Sequence, residues 1–84
     1  MTRNQEIRKE ILLQLYAARP LAHSPALIAR QGKKAGLDYS ENEIAAECAF
    51  LAGQGLIGDV EDTASGELKF AITSKGVLEY ERNN

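Results

Sequence analysis

The chain has 84 residues, of which 44% are hydrophobic and 26% are charged. A chain of this length holds one compact core without a separate catalytic domain, and its composition is too apolar for intrinsic disorder. The net charge is −2, yet residues 1–36 carry seven basic and two acidic side chains, whereas residues 37–84 carry three basic and ten acidic ones. We therefore predict a single domain over residues 1–84 whose two parts have charges of +5 and −7.

The sequence also bears on location and on metal chemistry. No apolar stretch approaches the roughly 18 residues that span a bilayer, and no hydrophobic signal core follows the N-terminus. We expect a cytoplasmic protein that does not contact a membrane. The single cysteine, Cys48, forms neither an internal disulfide nor, alone, a zinc site, so the fold depends on its hydrophobic core.

A first helix is predicted over about residues 5–18. Ile7, Ile11 and Leu15 recur at the spacing that places side chains on one helical face. Leu13 lies outside this apolar arc, so it is either covered by a later segment or exposed to a partner. Pro20 disfavours further helix, and the segment RPLAH turns or forms a short extended piece.

A second helix, over about residues 25–35, begins with Ser24 as its N-cap and Pro25 in its first position. It ends near Gly32 or at Gly36, and we favour Gly36, where Leu37 makes the hydrophobic contact of a C-cap.

A third helix is predicted over about residues 41–54. Ser40 and Glu43 form the pattern S-x-x-E of a capping box. Ile44, Cys48 and Leu51 follow at i, i+4 and i+7, and this spacing predicts the buried side of the helix.

The periodicity then changes to that of strands. LIGDVED and ELKFAIT have strand character and flank the turn-forming segment TASG, so residues 56–73 are predicted to form a β-hairpin. A short closing helix over about residues 74–81 begins at Thr73 or Ser74. The fold class is therefore α+β.

This order of elements resembles the winged helix-turn-helix family, in which a β-hairpin wing follows a three-helix bundle. IAAECAFLAGQGLI looks like the family's third helix with its Gly-Leu-Ile exit into the first wing strand. LKFAITSKGVLEYE looks like the second wing strand and an Ile-Thr-x-x-Gly start of a closing helix, and SPALIAR occupies the place of the second helix. The resemblance covers roughly Gln5 to Glu81 and implies a small DNA-binding transcriptional regulator that acts as a dimer.

In DNA-binding members of this family the third helix enters the major groove and the wing touches neighbouring backbone or minor groove. The outward positions of the third helix are then Asn42, Glu43, Ala45, Ala46, Ala49 and Gly53. Asn42 is the good base reader among them, since asparagine pairs bidentately with adenine. The residues that we expect to contact double-stranded DNA are Arg30, Lys33, Lys34, Ser40, Asn42 and Lys69.

The acidic residues of the same two elements oppose this prediction. Phosphate contacts need Lys and Arg, yet the third helix has neither, and its Glu41, Glu43 and Glu47 are expected to face phosphates or compete with them. The hairpin carries four acids against Lys69 alone: Asp59, Glu61, Asp62 and Glu67. The cluster of Arg30, Lys33 and Lys34 either anchors a phosphate strand or consists of solvated residues or partners for these acids.

The alternative is a protein-protein interaction module that uses the acidic wing and the alanine-rich third helix without binding DNA. Ala45, Ala46, Ala49 and Gly53 form a smooth strip that permits close approach of another backbone, or they reflect helix propensity at exposed sites. Phe50 beside the strip and Leu13 on the first helix are candidate contacts. The opposite charges of the two parts favour a homodimer or a basic protein partner.

No residue pattern points to an enzyme. His23 lacks other ligands at metal-binding spacing, so we expect it in a loop or capping role. Cys48 lies on the predicted apolar side of its helix without a neighbouring base. The hydroxyls of Ser24, Ser40 and Thr73 are explained as helix caps. We therefore predict no catalytic residue, no metal site and no cofactor.

Overall fold

A computed structural model describes residues 1–83, so the last residue of the predicted domain lies outside the described part of the chain. Within it the elements are helices α1 (Arg3–Ala18), α2 (Pro25–Lys34), α3 (Glu41–Gly53) and α4 (Ser74–Arg82), with strands β1 (Ile57–Glu61) and β2 (Leu68–Ile72) preceding α4. The fold is α+β, with four helices and an antiparallel two-stranded hairpin among residues 1–83. No helix in this range is long and apolar enough to cross a membrane.

Helix α1 begins two residues earlier than the apolar pattern indicates. Thr2 is its N-cap and accepts a hydrogen bond from the Gln5 amide, while the Gln5 side chain accepts one from the Thr2 amide at 2.9 Å. This capping box satisfies two amides that the helix leaves unpaired. Leu13 is 43% exposed, so no later segment covers it.

The turn from α2 to α3 is fixed by local hydrogen bonds. Gly36 has φ +87°, a left-handed conformation that favours glycine. The Leu37 amide donates to the Gly32 carbonyl at 2.9 Å, and the Gly36 amide donates to the Lys33 carbonyl at 3.0 Å. This is a Schellman motif in which Gly36 follows the C-cap Ala35, and it confirms that the helix is terminated at Gly36 rather than near Gly32.

The core lies where α1, α2 and α3 meet the base of the hairpin. Its fully buried large side chains come from each of these elements: Ile7, Ile11, Leu15, Ile28, Ile44, Cys48, Leu51 and Ile57. Tyr39 and Phe70 complete it at 7% and 5% exposure. The outer part of the hairpin is not buried, since Val60 and Leu68 are about half exposed at 45% and 48%.

The segment before α2 joins the hairpin by one bridge. The His23 amide donates to the Phe70 carbonyl at 2.9 Å, and the Phe70 amide donates to the His23 carbonyl at 2.8 Å. The segment RPLAH, predicted to turn or to form a short extended piece, does both: the Leu21 amide donates to the Ala18 carbonyl at 2.9 Å, and His23 then pairs with β2 through its backbone rather than capping a helix. The bonds of His23 attach the hairpin to the helical bundle at Phe70.

Helix α4 packs closely against the start of the hairpin. The Thr73 hydroxyl donates to the Gly55 carbonyl at 2.6 Å and also accepts from the Gly76 amide as the N-cap of α4. A Cβ on Gly76 would overlap the Leu56 carbonyl oxygen and lie 2.7 Å from Cγ1 of Ile72. The spacing Thr-x-x-Gly is thus explained by one cap and one close backbone approach.

Candidate functional site

The outward face of α3 is uncovered along the whole helix. We define this face as Asn42, Ala45, Ala46, Ala49 and Gly53, and each of these residues is exposed. Phe50, at 42% exposure, borders the face on the side nearest α1. Apart from Asn42 the face carries only small apolar residues. No long side chain of this face therefore keeps another molecule away from the backbone of α3.

Glu43 does not belong to this face, which corrects its predicted position. The Arg3 guanidinium donates to both oxygens of the Glu43 carboxylate, at 2.7 and 3.0 Å, and its Nη2 also donates to the Asp38 carbonyl at 2.9 Å. These bonds from Arg3, followed by the bond from the Ser40 amide, lower the pKa of Glu43 from 4.5 to about 2. The carboxylate is therefore ionised and bound to α1.

Glu47 is held by α1 in the same way, one helical turn further along. Arg8 Nε lies 2.6 Å from the Glu47 carboxylate, and the two side chains are 29% and 13% exposed. The Arg8 guanidinium also covers the Phe50 ring, with its Cζ atom 3.8 Å from the centroid. Glu43 and Glu47 are thus both paired with arginines of α1, whereas Glu41 has no ion partner within residues 1–83.

Pairing between α1 and α3 was missed at the level of sequence. Glu43 and Glu47 are four residues apart, so they lie on one side of α3. Arg3 and Arg8 are five residues apart, which separates them by about 140° around a regular helix, so their spacing does not place them on one side of α1. The available signal was therefore only the opposite charge of the two helices, which does not say that they lie side by side.

The second feature of the site is the basic cluster of Arg30, Lys33 and Lys34, at the end of α2. All three side chains are exposed, and none forms an ion pair with any residue in the described range 1–83. Lys33 and Lys34 lie in the last turn of α2, where the helix dipole favours positive charge. The alternative that these bases are partners for the acids of α3 or the hairpin is therefore not realised.

The hairpin contributes no free base to the site. Lys69 Nζ lies 3.2 Å from Asp62, and this contact lowers the pKa of the Asp62 carboxyl below its ordinary value. Asp59, Glu61 and Glu67 are exposed. Lys69 was predicted to contact DNA, but here it neutralises an acid of its own hairpin.

The remaining sequence candidates fall at separate places. Phe50 lines a groove between α1, α3 and α4, whereas Leu13 is not among the residues that line it. Ser40 is exposed at the start of α3, and its hydroxyl accepts a hydrogen bond from the Glu43 amide at 3.1 Å. It therefore acts as a cap beside the outward face of α3.

The only cysteine of the chain lies apart from these features. Cys48 is fully buried, and burial raises the pKa of its thiol to about 12. Within residues 1–83 no group of three or more His, Cys, Asp or Glu side chains is arranged to hold a metal ion. The chain matches no protein family, no curated protein and no solved structure.

Proposed function

We propose that this chain is a winged helix that binds double-stranded DNA through α3 and acts as a dimeric transcriptional regulator. The observation that carries the proposal is the outward face of α3, which is uncovered and lies on the helix that follows an unpaired basic cluster. In this proposal α2 and α3 form the helix-turn-helix, the hairpin is the wing and α4 closes the domain.

The outward face of α3 suits the floor of a major groove. Its first turn carries Asn42, which is exposed and has the amide needed to pair with adenine. The small side chains of Ala45, Ala46 and Ala49 permit close approach and offer methyl contacts to thymine. The ion pairs of Glu43 and Glu47 with α1 reduce the repulsion between the carboxylates of α3 and the DNA phosphates.

Phosphate binding falls to the basic cluster. Binding a phosphate with Arg30, Lys33 or Lys34 breaks no ion pair within residues 1–83, so the full electrostatic gain is available. Three bases give weak affinity, and the acidic wing adds none. Two half-sites bound by a dimer supply the affinity that one domain lacks.

The test is an amide-resolved NMR titration with a mixed-sequence duplex at low salt, followed by affinity measurements as a function of salt. Shifts are expected at residues 30–42, and they fade as salt is added. Replacing Arg30, Lys33 and Lys34 by alanine lowers the salt slope by about three for each protomer, whatever the DNA sequence. Lys9→Ala is the matched control, because Lys9 is also exposed and without an ion partner in the described range but lies on α1.

The result that would overturn DNA binding is an unshifted spectrum at low salt. The second candidate function, a protein interaction module, then takes its place. It is favoured by the acidic hairpin and by Phe50, which is 42% exposed beside a smooth helical face. Self-association that weakens with salt and is lost in Lys33→Glu/Lys34→Glu would support contact between two copies, and a strict monomer would exclude it.

A further inference from the structure

A groove of about 590 Å³ opens between α1, the end of α3 and α4. It lies on the α1 side of α3, beyond the outward face, and none of the three residues of the basic cluster lines it. The volume falls within the range of sites that hold small organic molecules.

The inner wall of the groove is apolar. Leu51 and Leu56 are 2% and 8% exposed, and they form its floor with Leu12. Two aromatic rings flank this floor: Phe50, which is 42% exposed, and Tyr80, whose ring stacks on Tyr16 at a centroid distance of 4.3 Å. A flat apolar molecule is complementary to such a wall.

The charged side chains at the rim of the groove determine which ligand charge is favoured. Arg8 is paired with Glu47 at 2.6 Å, and Glu79 is paired with Arg82 at 3.7 Å, so these four charges are balanced. Lys9 also lines the groove, and it has no ion partner within residues 1–83. The positive charge of Lys9 therefore remains available beside an apolar cavity.

We propose that this groove is a binding site for a small amphipathic anion, an aromatic carboxylate of one or two rings. The rings lie on Leu51 and Leu56 between the two aromatic side chains, and the carboxylate accepts a charge-assisted hydrogen bond from Lys9. Gln5 and Gln54 at the rim supply amide donors. The site does not depend on DNA binding, although Phe50 and Leu51 belong to the helix assigned to DNA.

The test compares three probes of the same shape in an amide-resolved NMR titration: 2-naphthoate, neutral 2-naphthamide and cationic 2-naphthylmethylammonium. Saturable shifts are expected at Lys9, Phe50, Gln54 and Tyr80. Naphthoate binds most tightly, with a Kd about fivefold below that of the amide, as fits one exposed charge pair. The ammonium probe binds most weakly.

Two substitutions at the rim sharpen the comparison, and both positions are exposed. Lys9→Gln removes the preference for naphthoate over naphthamide, and Gln54→Glu weakens naphthoate while leaving naphthamide unchanged. Lys33→Gln is the control, because Lys33 is an exposed lysine outside the groove, and it keeps the native preference. Absence of saturable shifts at millimolar naphthoate, equal binding of amide and carboxylate, or a preference that survives Lys9→Gln would each overturn the proposal.

Discussion

Two groups of basic residues from the same half of the chain have opposite roles. Arg3 and Arg8 on α1 are bound to Glu43 and Glu47 of α3, at 2.7 and 2.6 Å. The basic cluster on α2 is exposed and unpaired within residues 1–83. The first group therefore joins two helices, and the second is available to an anionic partner.

This difference shows why a net charge of +5 over residues 1–36 is a poor measure of affinity for phosphate. A base contributes to DNA binding when its charge is free, and the ion pairs with α3 remove Arg3 and Arg8 from that count. The same pairs neutralise two acids of α3. The acidic composition of that helix thus overstates the negative charge that DNA would meet.

The largest expected effect in this comparison comes from Arg8→Ala. It leaves the 13%-exposed Glu47 carboxylate unpaired and removes the cation that covers the Phe50 ring. We expect the free energy of unfolding to fall by about 2 kcal/mol. Urea denaturation followed by circular dichroism measures this change.

Lys9→Ala is the control, because Lys9 is exposed and without an ion partner in the described part of the chain. Its substitution changes the free energy of unfolding by less than about 0.5 kcal/mol. If Arg8→Ala is no more destabilising than Lys9→Ala, the α1 arginines are not structural and the comparison fails.

The difference between the two groups also marks the limit of prediction from sequence. The caps at Ser24, Ser40 and Thr73 and the helix end at Gly36 were predicted correctly, because each depends on residues within about one turn. The pairing of Arg3 with Glu43 spans 40 residues. It depends on how α1 packs against α3, which local patterns do not specify.

Burial of Tyr39 was missed for the same reason. It lies in the polar turn between α2 and α3, where periodicity gives no signal, yet it is only 7% exposed and has the Arg3 guanidinium 5.0 Å from its ring centroid. Exposure of Leu68 was missed because clean alternation with Phe70 and Ile72 predicts one buried side, while the outer end of the hairpin extends past the core.

A smaller effect is expected from Asn42→Ala, on the outward face of α3. If Asn42 pairs with adenine, selection from a random-sequence duplex pool shows a preference for one base pair, and Asn42→Ala loses this preference. The preference corresponds to about 1–2 kcal/mol of binding free energy. Stability is unchanged, because Asn42 is exposed. Lys33→Ala, by contrast, weakens all sequences alike, and an unaltered preference in Asn42→Ala would remove Asn42 from base reading.

The pairing of Glu43 with Arg3 makes the stability of the fold depend on pH. The pKa of Glu43 is about 2 in the folded protein against an ordinary value of 4.5, chiefly because of Arg3. A lowered folded pKa contributes stability that is present above pH 4.5 and is lost as the pH falls toward 2. A pH titration followed by ¹³C NMR measures the pH at which the Glu43 carboxyl is half protonated. We expect this titration midpoint to rise in Arg3→Gln and to stay unchanged in Arg30→Gln. A midpoint that is the same with and without Arg3 would contradict the pairing.

The smallest expected effect tests the free group directly. Replacing Arg30, Lys33 and Lys34 together by alanine removes three charges but breaks no ion pair within residues 1–83. The favourable interaction of Lys33 and Lys34 with the end of α2 is lost, and the helix propensity of alanine offsets part of it, so the free energy of unfolding falls by less than about 1 kcal/mol. These three substitutions together then lower the free energy of unfolding by less than Arg8→Ala alone. A loss of about 2 kcal/mol or more would instead place the basic cluster among the structural charges, and its availability to phosphate would no longer follow from its exposure.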